Sequence, residues 1–268
     1  MSSINQNALA VTDTDARRTA ILELVRDNGI VRVSELSQRF GISEVSIRRD
    51  LAKLEESGLL RRVHGGAVSV SAAIMPQSYE ARMKRHIEEK KRIGQVAADL
   101  VQPGDCITLD SGTTVWQVAR HIARIAPERK PLTIVTASLP VFRELAPVRD
   151  VQLFVLGGIY QPDFQTLVGP HTLANLRGFH VDKLFLGSDG LSLEHGVTTA
   201  NVLEAEVSRA MVQTATEIII VSDSSKINSV GFTTVIPLSR ISKLITDHGA
   251  PDDFVAALRC QGVEVLLV

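Results

Sequence analysis

Cysteine and long apolar runs are both scarce in this chain of 268 residues, and each scarcity closes off a class of explanation. The two cysteines, Cys106 and Cys260, stand in strand-like or helix-like hydrophobic contexts without a CxxC pair or a histidine at ligand spacing. They read as core thiols and not as a disulfide framework, a metal site or a nucleophile. The longest apolar stretches, Ile218 to Val221 and Val263 to Val268 with its single glutamate, are strand-sized and far short of the roughly 20 residues a membrane span needs. The polar start, Met1 to Thr14, lacks the basic opening of a secretion signal, which predicts a cytoplasmic protein with no membrane partner. With 44% hydrophobic and 22% charged residues, disorder and collagen are excluded. The length supports one large domain or two smaller ones.

Net charge is −1, but it is unevenly spread. Residues 1–92 hold 16 Lys+Arg against 12 Asp+Glu, and the remainder hold 13 against 18, so a front of +4 meets a back of −5. That split predicts two modules with different partners. The net charge of −1 argues against a nonspecific DNA-compacting protein.

In the first module, Ile21, Leu22, Leu24 and Val25 form a helical stripe from about Asp15 to Asp27 that stops at Asn28-Gly29. Ser34 is a candidate N-cap for a short helix carrying Leu36 and Phe40 and broken by Gly41. Ser43 is a candidate cap for a third helix, on which Ile47, Leu51 and Leu54 fall at i, i+4 and i+7. Two short helices about a glycine turn make a helix-turn-helix. The outward face of the third helix then carries Glu44, Ser46, Arg48, Arg49 and Lys53, a set suited to a major groove. Leu59 to Val68 reads as two strands around a basic turn, a wing that lays Arg61, Arg62 and His64 along the adjacent backbone. Asp50 beside the arginines is expected to orient Arg48 or Arg49 or to close a local salt bridge.

The stretch Arg17 to Val68 resembles the DeoR-type winged helix-turn-helix of bacterial sugar-catabolism repressors. Val33-Ser34-Glu35-Leu36, Gly41-Ile42-Ser43, Ser46 to Leu51, Leu54-Glu55 and Arg62 to Ala67 carry the likeness. Ser46 replaces the usual Thr and keeps its hydroxyl.

Residues 15–70 are thus the expected DNA-binding domain. Residues 71–92 read as a linker and a charged helix, with His86 and Lys90-Lys91-Arg92 on a solvated face, and residues 93–268 as an α/β domain. In that last part, short strands at Cys106–Leu109, Leu132–Val135, Val151–Leu156, Lys183–Leu186, Glu217–Val221, Lys243–Thr246 and Val263–Val268 alternate with amphipathic helices. The pattern predicts a mainly parallel sheet covered on both faces.

Such sheets bind ligands beyond the carboxyl ends of their strands. Asp110, Ser111, Gly112, Thr113 and Thr114 stand at one such end, between a strand and a helix. There, exposed N–H groups, hydroxyls and a glycine suit a phosphate, although a plain capping turn explains the loop equally well. Thr136, Gly157, Gly158, Gly190 and Thr198 fall at further loops. Lys226 offers charge, and Asp189 can accept sugar hydroxyls. Glu204 could reach the same pocket or lie on the surface. No His, Cys or Asp cluster has metal-ligand spacing, and no cofactor is expected.

These segments also resemble the C-terminal effector domain of the DeoR family, whose fold is similar to ribose-5-phosphate isomerase. The resemblance implies that Asp110 to Thr114 form a phosphate loop, that Asp189 and Glu204 match acid/base positions of the isomerases, and that Lys226 matches a substrate-binding lysine. Ala137 stands where many members carry Asn, which takes an amide out of the pocket.

The expectation is a non-enzymatic transcriptional regulator that binds operator DNA and is released by a phosphorylated sugar. Because one recognition helix reads few bases, a homo-oligomer, dimer or higher, is expected. The competing reading is an isomerase-like enzyme acting on phosphosugars, with an accessory helical domain. The sequence offers it acidic groups but no base with an evident orienting partner.

Overall fold

The computed structural model describes residues 14–28, 30–57, 59–63, 65–69, 78–149 and 151–268. Two compact units, Met1–Pro76 and Gln77–Val268, divide the chain.

In the first unit, helix α1 (Thr14–Asn28) is followed by strand β1 (Ile30–Arg32), helices α2 (Val33–Phe40) and α3 (Glu44–Glu56), and strands β2 (Leu60–Val63) and β3 (Gly66–Ser69). The apolar spacing read from the sequence builds the core: Ile21 and Val25 from α1, Leu36 from α2, and Ile47, Leu51 and Leu54 from α3 pack together with Leu60. Gly41 closes α2 in the left-handed conformation, and Ser43 caps α3 by accepting from Ser46 N. Ser34 is not a cap. Helix α2 starts two residues earlier than a Ser34 cap implies, with Arg32 in the capping position, so Ser34 lies inside its first turn.

The wing has three strands in the order β1-β3-β2, all antiparallel, and not the two expected. A Cβ at Gly66 would lie 2.1 Å from Val31 O, so the third strand can close onto β3 only because that residue is glycine.

The second unit opens with helices α4 (Tyr79–Lys84) and α5 (Ile87–Asp99). Then come β4 (Cys106–Leu109), α6 (Thr113–Ile125), β5 (Leu132–Thr136), α7 (Leu139–Leu145), β6 (Val151–Val155), β7 (Ile159–Gln161), β8 (Thr166–Val168) and α8 (Pro170–Leu176). The chain continues through β9 (Val181–Leu186), β10 (Gly190–Ser192), β11 (Gly196–Thr199), α9 (Val202–Thr214), β12 (Ala215–Val221), β13 (Thr233–Ile236), β14 (Lys243–Thr246), α10 (Asp252–Cys260) and β15 (Glu264–Leu267). Seven of these strands form one parallel sheet in the order β15-β14-β12-β9-β4-β5-β6. Successive residues of β12 fall into two different clusters, Ile218 and Ile220 in one and Ile219 and Val221 in the other, so the sheet is buried on both faces. From β4 the chain builds outward through β5 to β6, and from β9 it builds the other way through β12 to β15. The strand order therefore reverses between β4 and β9.

Gly190 and Thr198, expected in loops, lie on the buried strands β10 and β11 of a small antiparallel sheet, β10-β11-β13. The charged helix expected from Tyr79 to Arg92 is two helices. His86 adopts a left-handed φ of 49° between them, and α5 runs on to Asp99.

Candidate functional site

In the first unit, the exposed face of α3 presents Glu44, Arg48, Arg49 and Lys53, and Ser46 is half-buried at its start. Arg48 Nη2 lies 2.6 Å from Glu44 Oε2 and Lys53 Nζ 2.7 Å from Glu56 Oε2; both are exposed pairs that a phosphate can displace at little cost. Asp50 does something other than orient them. It is buried and accepts from Arg17 Nε at 2.8 Å and Arg18 Nε at 3.1 Å, so it ties α3 back to α1 and leaves Arg49 facing solvent. In the wing, Glu55 accepts both the backbone N–H and Nε of Arg62, at 2.7 and 2.9 Å, which fixes that side chain beside α3. Arg61 lies on β2, and its side chain and all of His64 fall outside the described residues.

In the second unit, a cluster forms where the strand order reverses. Asp110 and Ser111 follow β4, Asp189 follows β9, and Glu204 comes from the first turn of α9, which is capped by Asn201. The elements meet through one chain of hydrogen bonds. Ser111 Oγ donates to Glu204 Oε1 at 2.7 Å, and the Thr199 hydroxyl stands 3.1 Å from Glu204 Oε2 and 2.8 Å from Asp189 Oδ2. One hydroxyl hydrogen cannot serve two acceptors. The chain is satisfied when Thr199 donates to an ionised Asp189 and accepts from a protonated Glu204.

The electrostatics agree with that assignment. Burial, with the Asp189 charge beside it, pushes the Glu204 carboxyl up to about 8 against the pull of the Ser111 bond. Burial likewise raises Asp110 to about 7, although the N–H groups of Ser111 and Gly187 and the Ser208 hydroxyl oppose it. Burial works against Asp189 too, but the charges of Arg82 and Lys226 and the bonds from Ala200 N and Thr199 outweigh it and hold this carboxyl below its ordinary value. The Asp189 side chain keeps 21% of its exposure, whereas Asp110 and Glu204 are buried at 6% and 9%. Three carboxylates whose environments drive their pKa values apart can accept sugar hydroxyls, donate to them, or move protons.

The residues expected to form a phosphate loop sit alongside. Gly112, with φ of 110°, precedes α6, whose first turn holds Thr113 and Thr114. The amino end of this 13-residue helix directs its N–H groups to the same carboxyl edge of the sheet. A separate open cavity of about 520 Å³ lies at the start of β5 and β6, lined by Lys130, Thr133, Arg149 and Gln152 among others, at the opposite end of those strands. No group of three or more His, Cys, Asp or Glu among the described residues could hold a metal ion. No helix among them is long and apolar enough to cross a membrane.

The DeoR-like helix-turn-helix domain model matches residues 17–73, and the DeoR C terminal sensor domain model matches residues 85–248. The chain belongs to the DeoR family. A relative from Escherichia coli O157:H7, provisionally named as the aga operon transcriptional repressor, is 38% identical over 96% of this chain and 95% of its own length. The transcriptional repressor GlcR of Bacillus subtilis is 33% identical over 94% and 96% of the two chains. The lactose phosphotransferase system repressor of Streptococcus mutans is 35% identical over 87% and 92%. Among solved structures, ribose-5-phosphate isomerase A from Methanocaldococcus jannaschii aligns with 52% of this chain and 53% of its own at 18% identity and a TM-score of 0.39.

Within the DeoR sensor domain, the residues named from sequence separate into two groups. Asp110, Ser111, Asp189 and Glu204 converge, and Lys226 is half-buried and near enough to influence Asp189. Glu204 is a buried member of the cluster and not a surface carboxylate. Other hydroxyls are committed elsewhere. Thr136 donates to Leu109 O and accepts from Ser138 N, and Thr198 donates to Gly190 O and accepts from Gly231 N, so both hold strand ends together. Gly158 packs against Thr172, whose hydroxyl donates to Gly157 O, and Gly190 lies against Ser229 and Thr198. Ala137 is buried, and its carbonyl accepts from Leu167 N and Thr166 Oγ1.

Sequence reasoning missed Thr199 as the bridging hydroxyl, Ser208 and Arg82. It also misread Lys90, which is not solvated. Lys90 is buried with Nζ 2.7 Å from Arg82 O and 2.8 Å from Arg85 O, and 3.9 Å from Asp223. Burial lowers it to about 8. By taking the free carbonyls at the end of α4, it supplies the reason the two helices break at His86.

Proposed function

We propose that this protein is a cytoplasmic repressor of a sugar-catabolic operon, released from its operator when a phosphorylated sugar enters the α/β domain, and that it acts on DNA as a homo-oligomer. The observation that carries this reading is the position of the Ser111–Glu204–Thr199–Asp189 chain at the reversal between β4 and β9. A crevice at such a point is where open α/β sheets take ligands. Here it pairs hydroxyl-binding carboxylates with the amino end of α6. The sugar relatives' names support a carbohydrate effector, and the matched helix-turn-helix supports an operator partner. In this reading Arg48, Arg49, Lys53, Arg61 and Arg62 bind DNA, Gly112 to Thr114 seat the phosphate, and Lys226 adds charge. The domains are 15–70 for DNA and the α/β part for the effector.

The raised carboxyls favour a second reading, in which the pocket retains isomerase-like proton transfer. Thermal melting of the full chain with a panel of pentose and hexose phosphates tests the first reading: a ligand at 100 times its Kd adds about 2.7 kcal/mol. The same ligand should release operator DNA from the wild type but not from Lys226→Ala or Gly112→Val. Isomerisation of any panel member that is lost in Asp189→Asn would establish the second reading instead.

A further inference from the structure

Arg82 is the only charged side chain of α4 that enters the effector cluster among the described residues, and its bonding is incomplete. Nη2 donates to Asp163 O at 2.9 Å, but Nη1 reaches Asp189 Oδ1 only at 3.4 Å. Nε is buried and has no hydrogen-bond partner among the described residues. The guanidinium lies 4.8 Å over the ring of Phe164, itself buried, so the fork is held flat and cannot swing out to solvent without giving up that contact. The other oxygen of Asp189 is held more closely: Thr199 and Ala200 N both bind its Oδ2, at 2.8 and 3.0 Å. A flat fork with spare donors, stacked and desolvated, takes an oxyanion with two coplanar oxygens.

The place of Arg82 in the chain matters as much as its chemistry. Helix α4 begins at Tyr79, three residues after Pro76 ends the first unit, so it is the first element of the second unit. It is fixed from both sides. Ser78 caps its start, Lys90 holds the carbonyls of Arg82 and Arg85, and Glu80 accepts from Gln165 beside Asp163 and Phe164. A change in what Arg82 grips therefore acts on the element of the second unit that stands nearest in sequence to the first.

We propose that Arg82 is a ligand-reading residue: an effector oxyanion takes its Nε and Nη1 hydrogens in place of Asp189, and the exchange acts through α4 on operator affinity. This rests on the α/β unit being the effector domain. A ligand shifts DNA binding only through a contact that differs between two states, and an exchange of partners at Arg82 is such a contact.

The test uses the full chain and a duplex selected by the wild type from a random pool. Without any ligand, Arg82→Gln and Asp189→Asn should each change operator Kd by about fivefold or more, with the double variant no further from wild type than the larger single change. All three within about twofold of wild type, with unchanged melting, would overturn the proposal. Arg82→Lys, which keeps the charge and loses the fork, should behave as Arg82→Gln; wild-type behaviour in Arg82→Lys would also overturn it. With inorganic phosphate, amide exchange should slow both at Gly112–Thr114 and at Tyr79–Lys84 in the wild type, and only at Gly112–Thr114 in Arg82→Gln. Protection confined to Gly112–Thr114 in the wild type would remove Arg82 from the ligand and leave the phosphosugar reading standing. If neither phosphate nor any sugar phosphate protects either segment, the phosphosugar reading falls, and the ligand-free comparison alone decides whether Arg82 couples to DNA.

Discussion

Replacing Glu204 with Gln isolates a carboxyl whose burial beside Asp189 favours its neutral form. The amide reproduces the bonding of a protonated carboxyl, with its oxygen accepting from Ser111 and its NH₂ donating to Thr199, so the fold should tolerate it when Glu204 is neutral. Folding raises the carboxyl from its ordinary 4.5 to about 8. Between those values the folded state keeps a proton that the unfolded chain has lost, so stability falls as pH rises through the window, and the loss is complete above pH 8. At about 1.4 kcal/mol per unit, raising pH from 5.5 to 8 costs the wild type about 3 kcal/mol through this group alone. For a unit of this size that is a fall in Tm of roughly 6 to 12 °C, which Glu204→Gln should not share. Asp110 titrates in both proteins, so the difference between the two melting curves reads Glu204. Differential scanning calorimetry at half-unit pH steps provides the measurement. A gap between variant and wild type that stays constant from pH 5.5 to 8 would show that Glu204 is ionised in the fold and that the Thr199 hydrogen is assigned the wrong way round.

Three other substitutions probe separate links. Arg48→Ala and Arg49→Ala should each weaken operator binding by about 1–3 kcal/mol while melting is unchanged, as fluorescence anisotropy would report; a folded double variant with wild-type footprints would take α3 out of the groove. Asp50→Ala removes the acceptor 2.8 Å from Arg17 Nε and 3.1 Å from Arg18 Nε, and should destabilise the helix-turn-helix by about 1.5–3 kcal/mol, seen as faster amide exchange in α1 and α3. Gly158→Ala would put a Cβ 2.0 Å from Thr172 Oγ1 and 2.6 Å from Val168 O, and should cost about 1–3 kcal/mol by chemical denaturation; an unchanged midpoint would mean the hairpin shifts freely.

The apolar pattern alone located all seven strands of the large sheet, because its inner strands run between two buried faces and even the edge strands β6 and β15 bury residues against the core. It also marked the three helices of the first unit, where Ile47, Leu51 and Leu54 leave only one face to bury. Asp110 and Ser111 were legible for a similar local reason, since a strand running through glycine into a helix exposes N–H groups wherever it occurs. Tertiary structure decided the rest. Arg82 and Asp189 are 107 residues apart, and Ser111 and Glu204 are 93 apart, so no window along the chain could join them. Lys90 in a run of cations looks solvated until α4 ends against it, and Thr198 and Thr199, adjacent in sequence, take opposite tasks because β11 turns one toward its neighbouring strands and the other toward the carboxylates. Which polar groups are spent on the fold and which remain for a ligand depends on distances that only the assembled sheet fixes. For the same reason, the charge of Glu204 was never a property of its residue type.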